Sequence, residues 1–183
     1  MGLRARLRGR LSGMVGESMN PTAKLVEPWR THIKVAAEAA GLDPYLLAAI
    51  VVQESSGEQY AQRVERGFWS RYLAGIRRWV ASTASKHDDK WAQYPDIYAS
   101  SYGLAQVMLQ TAAEHGFHYR YPGQLFDPDE NLRVACRILT RIKNRTGGDV
   151  RRMLLAYNGG GDPTYPDRIL RHRAALMEAR VLW

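Results

Sequence analysis

The run YLLAAIVV, from Tyr45 to Val52, limits how this chain can fold. Asp43 and Pro44 precede it and predict the start of a helix, because Asp caps free backbone N–H groups and Pro suits the first helical position. A helix that is apolar over so many consecutive residues belongs in a protein core. The sequence therefore predicts a buried helix from Pro44 to about Ser55, around which the rest of the chain must pack.

A carboxylate lies at the end of this apolar helix. Leu47, Ile50, Val51 and Glu54 recur at helical spacing, which predicts that they share the core-facing side. Burial disfavours the ionised form of Glu54, and so does the partial negative charge at a helix C-terminus, so both effects raise its pKa. A protonated Glu in a cleft is what general acid catalysis needs. A structural Glu paired with a buried Arg is the alternative, and the helix alone does not decide between them.

The remaining sequence is predicted to be mainly α-helical and to form a single domain over residues 21–183. Helical periodicity recurs in PWRTHIKVAAEAAGL, FDPDENLRVACRILTRIKNRTGG, DVRRMLLAYNGG and YPDRILRHRAALMEARVLW. No segment shows a convincing alternation of the kind that predicts a strand. With 183 residues, of which 45% are hydrophobic, the chain can bury one core.

The charge and the Cys and His content restrict the partners. A net charge of +8 favours a polyanionic environment, such as nucleic acid, an anionic membrane or an acidic cell wall. The single Cys136 excludes an internal disulfide framework and is predicted to be a small buried thiol. The five His residues are scattered and form no ligand cluster in the sequence, so we expect no metal site.

Residues 1–20 are predicted to form a separate basic arm. Leu3, Leu7 and Leu11 alternate with arginines, which is typical either of a solvated arm or of an amphipathic helix that forms on an anionic surface. The arm has the positive charge of a secretion signal but not its apolar segment. No stretch is long and apolar enough to span a membrane. We expect any export to use another route.

Residues 58–98 form an aromatic-rich insertion, which is either a sugar-stacking wall or ordinary packing. Its rings are Tyr60, Phe68, Trp69, Tyr72, Trp79, Trp91, Tyr94 and Tyr98. Two later segments, SSYGLAQVM and LLAYNGG, place neutral hydrogen-bonding side chains at the edges of apolar runs. These side chains are Gln106, Tyr157 and Asn158, and they suit sugar hydroxyls and N-acetyl groups, which need both donors and acceptors.

Taken in order, ESSG, YGLAQVM, LFDPDENL, AYNGG and YPDRIL resemble the motifs of SLT-type lytic transglycosylases, which are relatives of goose-type lysozyme. The resemblance extends from Trp29 to about Arg171. It implies a lysozyme-like helical domain with a catalytic cleft. It also implies cleavage of the bond between N-acetylmuramic acid and N-acetylglucosamine in peptidoglycan, with a 1,6-anhydro product and without a metal or cofactor.

The resemblance also assigns the site residues. Glu54 is implied to be the sole general acid and base, and the Ser after it is implied to orient the reacting groups. The implied substrate-binding residues are Ser55, Gln106, Tyr157, Asn158 and Tyr165. The sequence departs from the family pattern at Ala105, where Met is usual, in the longer segment between Ser56 and Tyr102, and at Pro166, directly after Tyr165.

Three other functions remain open at this stage. A hydrolytic muramidase of the goose-type lysozyme kind would need a second carboxylate or a fixed water. The candidates for that carboxylate are Glu58, Glu65, Asp88, Asp89 and Asp96. A catalytically silent virion or wall-binding protein is a second possibility. A helix-turn-helix DNA-binding protein is the third, but its recognition helix would be YLLAAIVVQ, which offers almost nothing polar to read bases. We therefore expect no specific nucleic-acid partner.

The expected place of action follows from the implied substrate. It is the bacterial cell wall or periplasm, and peptidoglycan glycan strands are the expected partner. Delivery is expected to involve virion proteins or a secretion machine, because no signal peptide is visible.

Overall fold

The computed structural model describes residues 20–68 and 94–182, and in this part the chain is mainly helical, as predicted. The α-helices are α1 (Pro21–Val26), α2 (Arg30–Ala39), α3 (Pro44–Ser55), α4 (Arg66–Phe68), α5 (Pro95–Tyr98), α6 (Leu109–Glu114), α7 (Pro128–Arg145), α8 (Val150–Tyr157) and α9 (Tyr165–Glu178). The strands are β1 (Gln62–Val64), β2 (Ser100–Tyr102) and β3 (Val107–Met108). Two 3-10 helices, Glu27–Trp29 and Pro122–Phe126, precede α2 and α7.

Helix α3 is the central helix of the core, as the sequence predicted. The Asp43 carboxylate accepts a hydrogen bond of 2.9 Å from the Tyr45 N–H, so the predicted cap is confirmed. The helix packs against α1, α2 and α9. Every residue from Tyr45 to Val52 is buried, so α3 has no solvent-facing side over this stretch. The three apolar residues predicted to face the core, Leu47, Ile50 and Val51, are all buried, and Glu54 lies just beyond the buried run.

Helix α7 carries the second large part of the core. Asp127 caps it by accepting a 3.0 Å hydrogen bond from the Glu130 N–H. The helix ends before Gly147, whose φ of +65° suits glycine in the chain reversal. Cys136 is buried on this helix and free, and burial raises the pKa of its thiol to about 12. A thiol of this kind is unreactive at neutral pH.

A small antiparallel sheet was not predicted. Its order is β1-β2-β3, with Gln62 opposite Tyr102 and Ser101 opposite Met108. The strands have only three, three and two residues, which is too short for an alternating pattern to be visible in the sequence. Strand β2 is buried, whereas β1 is exposed along its length. The turn between β2 and β3, residues 103–106, contains the predicted site residue Gln106.

Asn131, in the first turn of α7, holds the turn of residues 103–106 through hydrogen bonds from the core. Its side chain is fully buried. Its Oδ1 accepts a 2.8 Å hydrogen bond from the Ala105 N–H, and its Nδ2 donates to the carbonyls of Tyr102 and Leu125 at 2.8 and 2.9 Å. Gly103 packs so closely here that a Cβ would lie 2.5 Å from Asn131 Nδ2. The amide thus replaces the backbone partners that a longer sheet would provide.

Several predictions lie wholly or partly outside the described residues. They include the structure of residues 1–19 and of the aromatic segment 69–93. Asn20 itself caps α1, since its side chain accepts a 2.9 Å hydrogen bond from the Thr22 N–H. Among the described aromatic residues of the insertion, Tyr60 and Tyr94 are exposed and Tyr98 is buried. Within residues 20–68 and 94–182, no helix is long and apolar enough to cross a membrane.

Replacement of Gly57 tests how tightly the turn after α3 is packed. Gly57 has a φ of +79°, and a Cβ at this position would lie 2.0 Å from the Leu25 carbonyl oxygen. Gly57→Ala should lose roughly 1–2 kcal/mol of unfolding free energy through backbone strain. Overpacking should remove roughly 1–3 kcal/mol more. Gly41→Ala is the matched control, because Gly41 has a φ of +62° with nothing within 4 Å of its Cβ. Equal losses in urea unfolding would contradict the close approach to Leu25.

Candidate active site

Glu54 and Tyr165 form the centre of the site. Glu54 is the penultimate residue of α3, and Tyr165 is the first residue of α9. The Tyr165 hydroxyl donates a hydrogen bond of 2.5 Å to Glu54 Oε1. Tyr165 is only 1% exposed, so its ring is fixed by the core and the hydroxyl has little freedom to leave the carboxyl. The contact joins residues 111 positions apart in the chain.

The environment of Glu54 acts on its pKa in both directions. Burial raises the pKa above the ordinary value of 4.5 and is the largest effect. The Tyr165 hydrogen bond and the positive charges of Arg63 and Arg168 lower it, and the negative charge of Glu65 raises it. Because burial outweighs the opposing effects, the neutral carboxyl persists to higher pH than an exposed Glu would allow. The predicted direction of the shift is confirmed, and burial is its main cause.

Tyr157 reaches the same region from α8. Its hydroxyl donates a 2.8 Å hydrogen bond to the carbonyl of Ala105, in the turn between β2 and β3. Burial raises the pKa of the Tyr157 phenol well above its ordinary value, and the negative charge of Glu54 adds to this. The phenol therefore remains neutral. Asn158 follows at the exposed C-terminal end of α8, where its side chain makes no hydrogen bond to a described residue.

Gln106 has an unusual backbone conformation for a residue other than glycine. Its φ is +46°, in the left-handed region. Its side-chain Nε2 donates to the carbonyls of Ala61 and Gly103, each at 3.0 Å. These contacts fix the orientation of the amide and compensate for the strained backbone. Within the described part of the chain no donor reaches Oε1, so that oxygen is the end of the amide that can accept a hydrogen bond from a ligand.

Ser55 contacts protein backbone. Its Oγ lies 2.8 Å from the Leu104 carbonyl and 3.2 Å from the Val51 carbonyl, and it accepts a 3.2 Å hydrogen bond from the Gly57 N–H. The hydroxyl thereby joins the end of α3 to the turn that contains Gln106. These contacts suit an orienting role.

The structure brings most of the predicted site residues to one turn. Ser55 contacts Leu104, Tyr157 contacts Ala105, and Gln106 belongs to the turn itself. Glu54 and Tyr165 are joined to each other and to this group through Ser55, the next residue after Glu54. Asn158 is connected to it only as the neighbour of Tyr157, as far as the described residues show.

Sequence reasoning assigned no role to three residues near the site, Asn131, Arg63 and Arg168, and it considered Glu65 only as a second carboxylate for hydrolysis. Arg63 Nε donates to Glu65 Oε1 at 2.7 Å, and both side chains affect the pKa of Glu54. Arg168 lies one helical turn after Tyr165, within the motif YPDRIL. Its spacing from Tyr165 is the only sequence signal for Arg168. An Arg on an amphipathic helix is usually solvated, so this signal is weak.

The described part of the site contains no cluster of side chains that could bind a metal ion. In residues 20–68 and 94–182, no group of three or more His, Cys, Asp or Glu side chains is arranged to hold a metal ion. The chemistry that these residues offer is proton transfer by Glu54, with neutral hydrogen-bonding groups around it.

Comparison with protein families gives one match. The family model described as "Transglycosylase SLT domain" matches residues 31–167, which is most of the chain. The matched segment contains all the predicted site residues, from Glu54 to Tyr165. No curated protein and no solved structure matches the chain.

Glu54→Gln should make the protein more stable at neutral pH. A Glu whose pKa is raised by folding stabilises the folded state fully below its unfolded-state pKa, and this stability is lost as the pH rises through the folded-state pKa. Gln keeps the shape of the side chain and an oxygen that accepts the Tyr165 hydrogen bond. It does not ionise, so it does not lose this stability as the pH rises. Its advantage should therefore grow above about pH 4.5 by about 1.4 kcal/mol for each unit of pKa shift.

Urea unfolding of both proteins between acidic and neutral pH measures this difference. Glu58→Gln is the control, because it removes an exposed carboxylate four positions further along the chain. A Glu54→Gln difference that stays constant with pH would contradict the burial of the charge.

Proposed function

Because the chain belongs to the transglycosylase SLT family, whose members are lytic transglycosylases that act on peptidoglycan, we propose that Glu54 is its single general acid and base. The bond cleaved joins N-acetylmuramic acid to N-acetylglucosamine, and the product has a 1,6-anhydro end. The observation that carries this proposal is the Tyr165–Glu54 hydrogen bond at the end of a buried core helix. It places one titratable carboxyl where burial raises its pKa.

In the first step Glu54 donates its proton to the glycosidic oxygen. This requires a neutral carboxyl at the working pH, which burial favours. The bond between the anomeric carbon and that oxygen then breaks, and N-acetylglucosamine leaves with the proton on its hydroxyl. The substrate's own acetamido group stabilises the positive charge at the anomeric carbon, so no carboxylate nucleophile is needed.

In the second step the ionised Glu54 acts as a base. It takes the proton from the C6 hydroxyl of the same muramic acid residue, whose oxygen bonds to the anomeric carbon and closes the anhydro ring. The Tyr165 hydrogen bond and the charges of Arg63 and Arg168 stabilise the carboxylate during this interval. One carboxyl can therefore serve both steps, because burial favours its neutral form and these three groups limit the cost of its anion.

The remaining site residues position the sugar. We assign Gln106 Oε1 and the Asn158 amide to the hydroxyl and N-acetyl groups of the substrate, since both are neutral and hydrogen-bonding. Tyr157 and Ser55 fix the turn of residues 103–106 on which Gln106 lies. Correct placement of the acetamido group and ring is worth several kcal/mol in reactions of this kind. The net charge of +8 adds a general attraction to the anionic wall.

Hydrolysis is the second candidate reaction. The observation in its favour is the fixed position of the Glu65 carboxylate. Its Oε1 accepts hydrogen bonds from Arg63 Nε at 2.7 Å and Ser101 Oγ at 2.9 Å. Its negative charge is felt by Glu54. A carboxylate fixed in this way is suited to orient a water for attack. Of the other carboxylates considered, Asp88 and Asp89 lie outside the described residues, and Glu58 and Asp96 are exposed.

Product analysis separates these reactions, and Glu54→Gln tests the acid. Purified protein is incubated with peptidoglycan, and the released muropeptides are identified by mass. Transglycosylation gives ends lighter by one water than the reducing ends left by hydrolysis. Glu54→Gln should lower the rate by about two to four orders of magnitude, because Gln cannot donate the proton. Glu58→Gln is the control and should match the wild type.

Two results would contradict the proposal. One is a folded Glu54→Gln variant with more than about a tenth of the wild-type rate. The other is a product with reducing ends only, and a loss of those ends in Glu65→Gln would then support hydrolysis.

A further inference from the structure

We propose that Arg168 is a positioning residue of this site, which holds the Tyr165 hydroxyl against Glu54 by joining the chain segments that carry them. The inference rests on the proposed function and adds a residue to it. Arg168 lies just beyond residues 31–167, the segment that matches the family model. Its side chain is about one-third exposed, and its head group faces the start of α9 and the end of α3.

The guanidinium makes contacts in three directions. Its Nε donates to Gln53 Oε1 at 3.2 Å, one NH₂ group donates to Thr164 Oγ1 at 2.7 Å, and the other donates to Asp162 Oδ2 at 2.6 Å. The Arg168 Cζ also lies 5.8 Å from the centroid of the Tyr165 ring. A planar guanidinium has donors that point to several partners at once, whereas a Lys ammonium is a point charge on a flexible stem.

Two of the residues that Arg168 contacts are sequence neighbours of the residues in the Tyr165–Glu54 hydrogen bond. Gln53 directly precedes Glu54, and Thr164 directly precedes Tyr165. One guanidinium therefore bonds to the neighbour of each residue in the Tyr165–Glu54 hydrogen bond. A displacement of α9 relative to the end of α3 would lengthen that bond. The Arg168–Gln53 contact opposes this displacement, while Thr164 and Asp162 hold the guanidinium in place at the start of α9.

Asp162 fixes the other side of the guanidinium. Its Oδ1 accepts hydrogen bonds from the Thr164 N–H at 2.9 Å and the Thr164 hydroxyl at 2.7 Å. The Thr164 hydroxyl, followed by the hydrogen bond from Arg168, lowers the pKa of Asp162 to about 2. Asp162 therefore remains ionised wherever the enzyme works, and its pair with Arg168 is present throughout a pH–rate profile.

The charge of Arg168 gives a second readout. The charged and titratable groups that act on Glu54 are Tyr165 and Arg168 from α9 and Arg63 and Glu65 from β1 and its end. Tyr157 from α8 also couples to Glu54 but stays neutral. Arg168 lowers the pKa of Glu54, so its loss should raise that pKa further. The falling limb of the pH–rate profile, where Glu54 loses its proton, should then move to higher pH.

The experiment measures kcat and KM against pH for Arg168→Met and Arg168→Lys, with soluble glycan strands from peptidoglycan as the substrate. Arg168→Met should lower kcat by about tenfold to a hundredfold through misplacement, with little change in KM. Its falling limb should move to higher pH. Arg168→Lys restores the charge, so its falling limb should return toward the wild-type position. It does not restore the three contacts of the guanidinium, so kcat should stay below the wild-type value.

Arg151→Met is the matched control. Arg151 lies on α8 and forms an ion pair of 2.5 Å with Asp167, the residue before Arg168 on α9. It is not among the groups that act on Glu54. It removes the same charge and should leave kcat and the limb unchanged. Asp162→Asn is a second, milder variant that weakens the contact from the loop side, and it should lower kcat in the same direction by a smaller factor.

The inference is overturned if Arg168→Met, folded by urea titration, matches Arg151→Met in both kcat and limb position. If Arg168→Met does not fold, Asp162→Asn decides, and a wild-type kcat in that variant overturns the inference. Failure of the proposed function looks different, because Glu54→Gln would then remain active whatever the Arg168 variants do.

Discussion

Glu54 is the penultimate residue of a helix that is buried on all sides from Tyr45 to Val52, and opposing effects act on its carboxyl. Burial raises its pKa and favours the neutral acid. The Tyr165 hydroxyl at 2.5 Å and the positive charges of Arg63 and Arg168 favour the anion. The proposed role as a single acid and base requires that the carboxyl be stable in both forms within one turnover, so the proposal depends on both sets of effects.

The turn between β2 and β3 is the second element on which the site depends. Asn131 supports it from the core through the Ala105 N–H, and Tyr157 contacts the Ala105 carbonyl from α8. Ser55 contacts the preceding carbonyl, that of Leu104, from the end of α3. Three parts of the chain that are distant in sequence are therefore connected through two consecutive peptide units. Gln106 takes its left-handed conformation directly after them, with its side-chain amide fixed by Ala61 and Gly103.

The sequence predicted what depends on local chemistry. The cap at Asp43, the burial of the following run and the raised pKa of Glu54 follow from residue type and spacing, and the structure confirms them. Burial of α3 extends beyond the residues predicted to face the core, because the helix packs against α1, α2 and α9 and has no exposed side from Tyr45 to Val52. The strands were missed because pairing of two or three residues leaves no periodic signal.

Long-range partners are the part that no local pattern contains. The resemblance to the family named Tyr165, but its contact with Glu54 joins residues 111 positions apart. Arg168 looks like a solvated Arg in the sequence, and the role proposed for it rests on its contacts with Gln53 and Thr164, which no local pattern predicts. The roles of the substrate-binding residues remain predictions, as does the arm of residues 1–20.

The most direct test of the account is the pKa of the Glu54 carboxyl itself. Protein labelled with ¹³C at the Glu side-chain carboxyl is titrated by NMR, and the Glu54 signal is assigned as the one missing from the Glu54→Gln spectrum. The account predicts that this signal titrates with a midpoint clearly above the ordinary value of 4.5. A midpoint at or below 4.5 would contradict it, because the hydrogen bond and charges would then outweigh burial, and Glu54 would be ionised when the proton is needed.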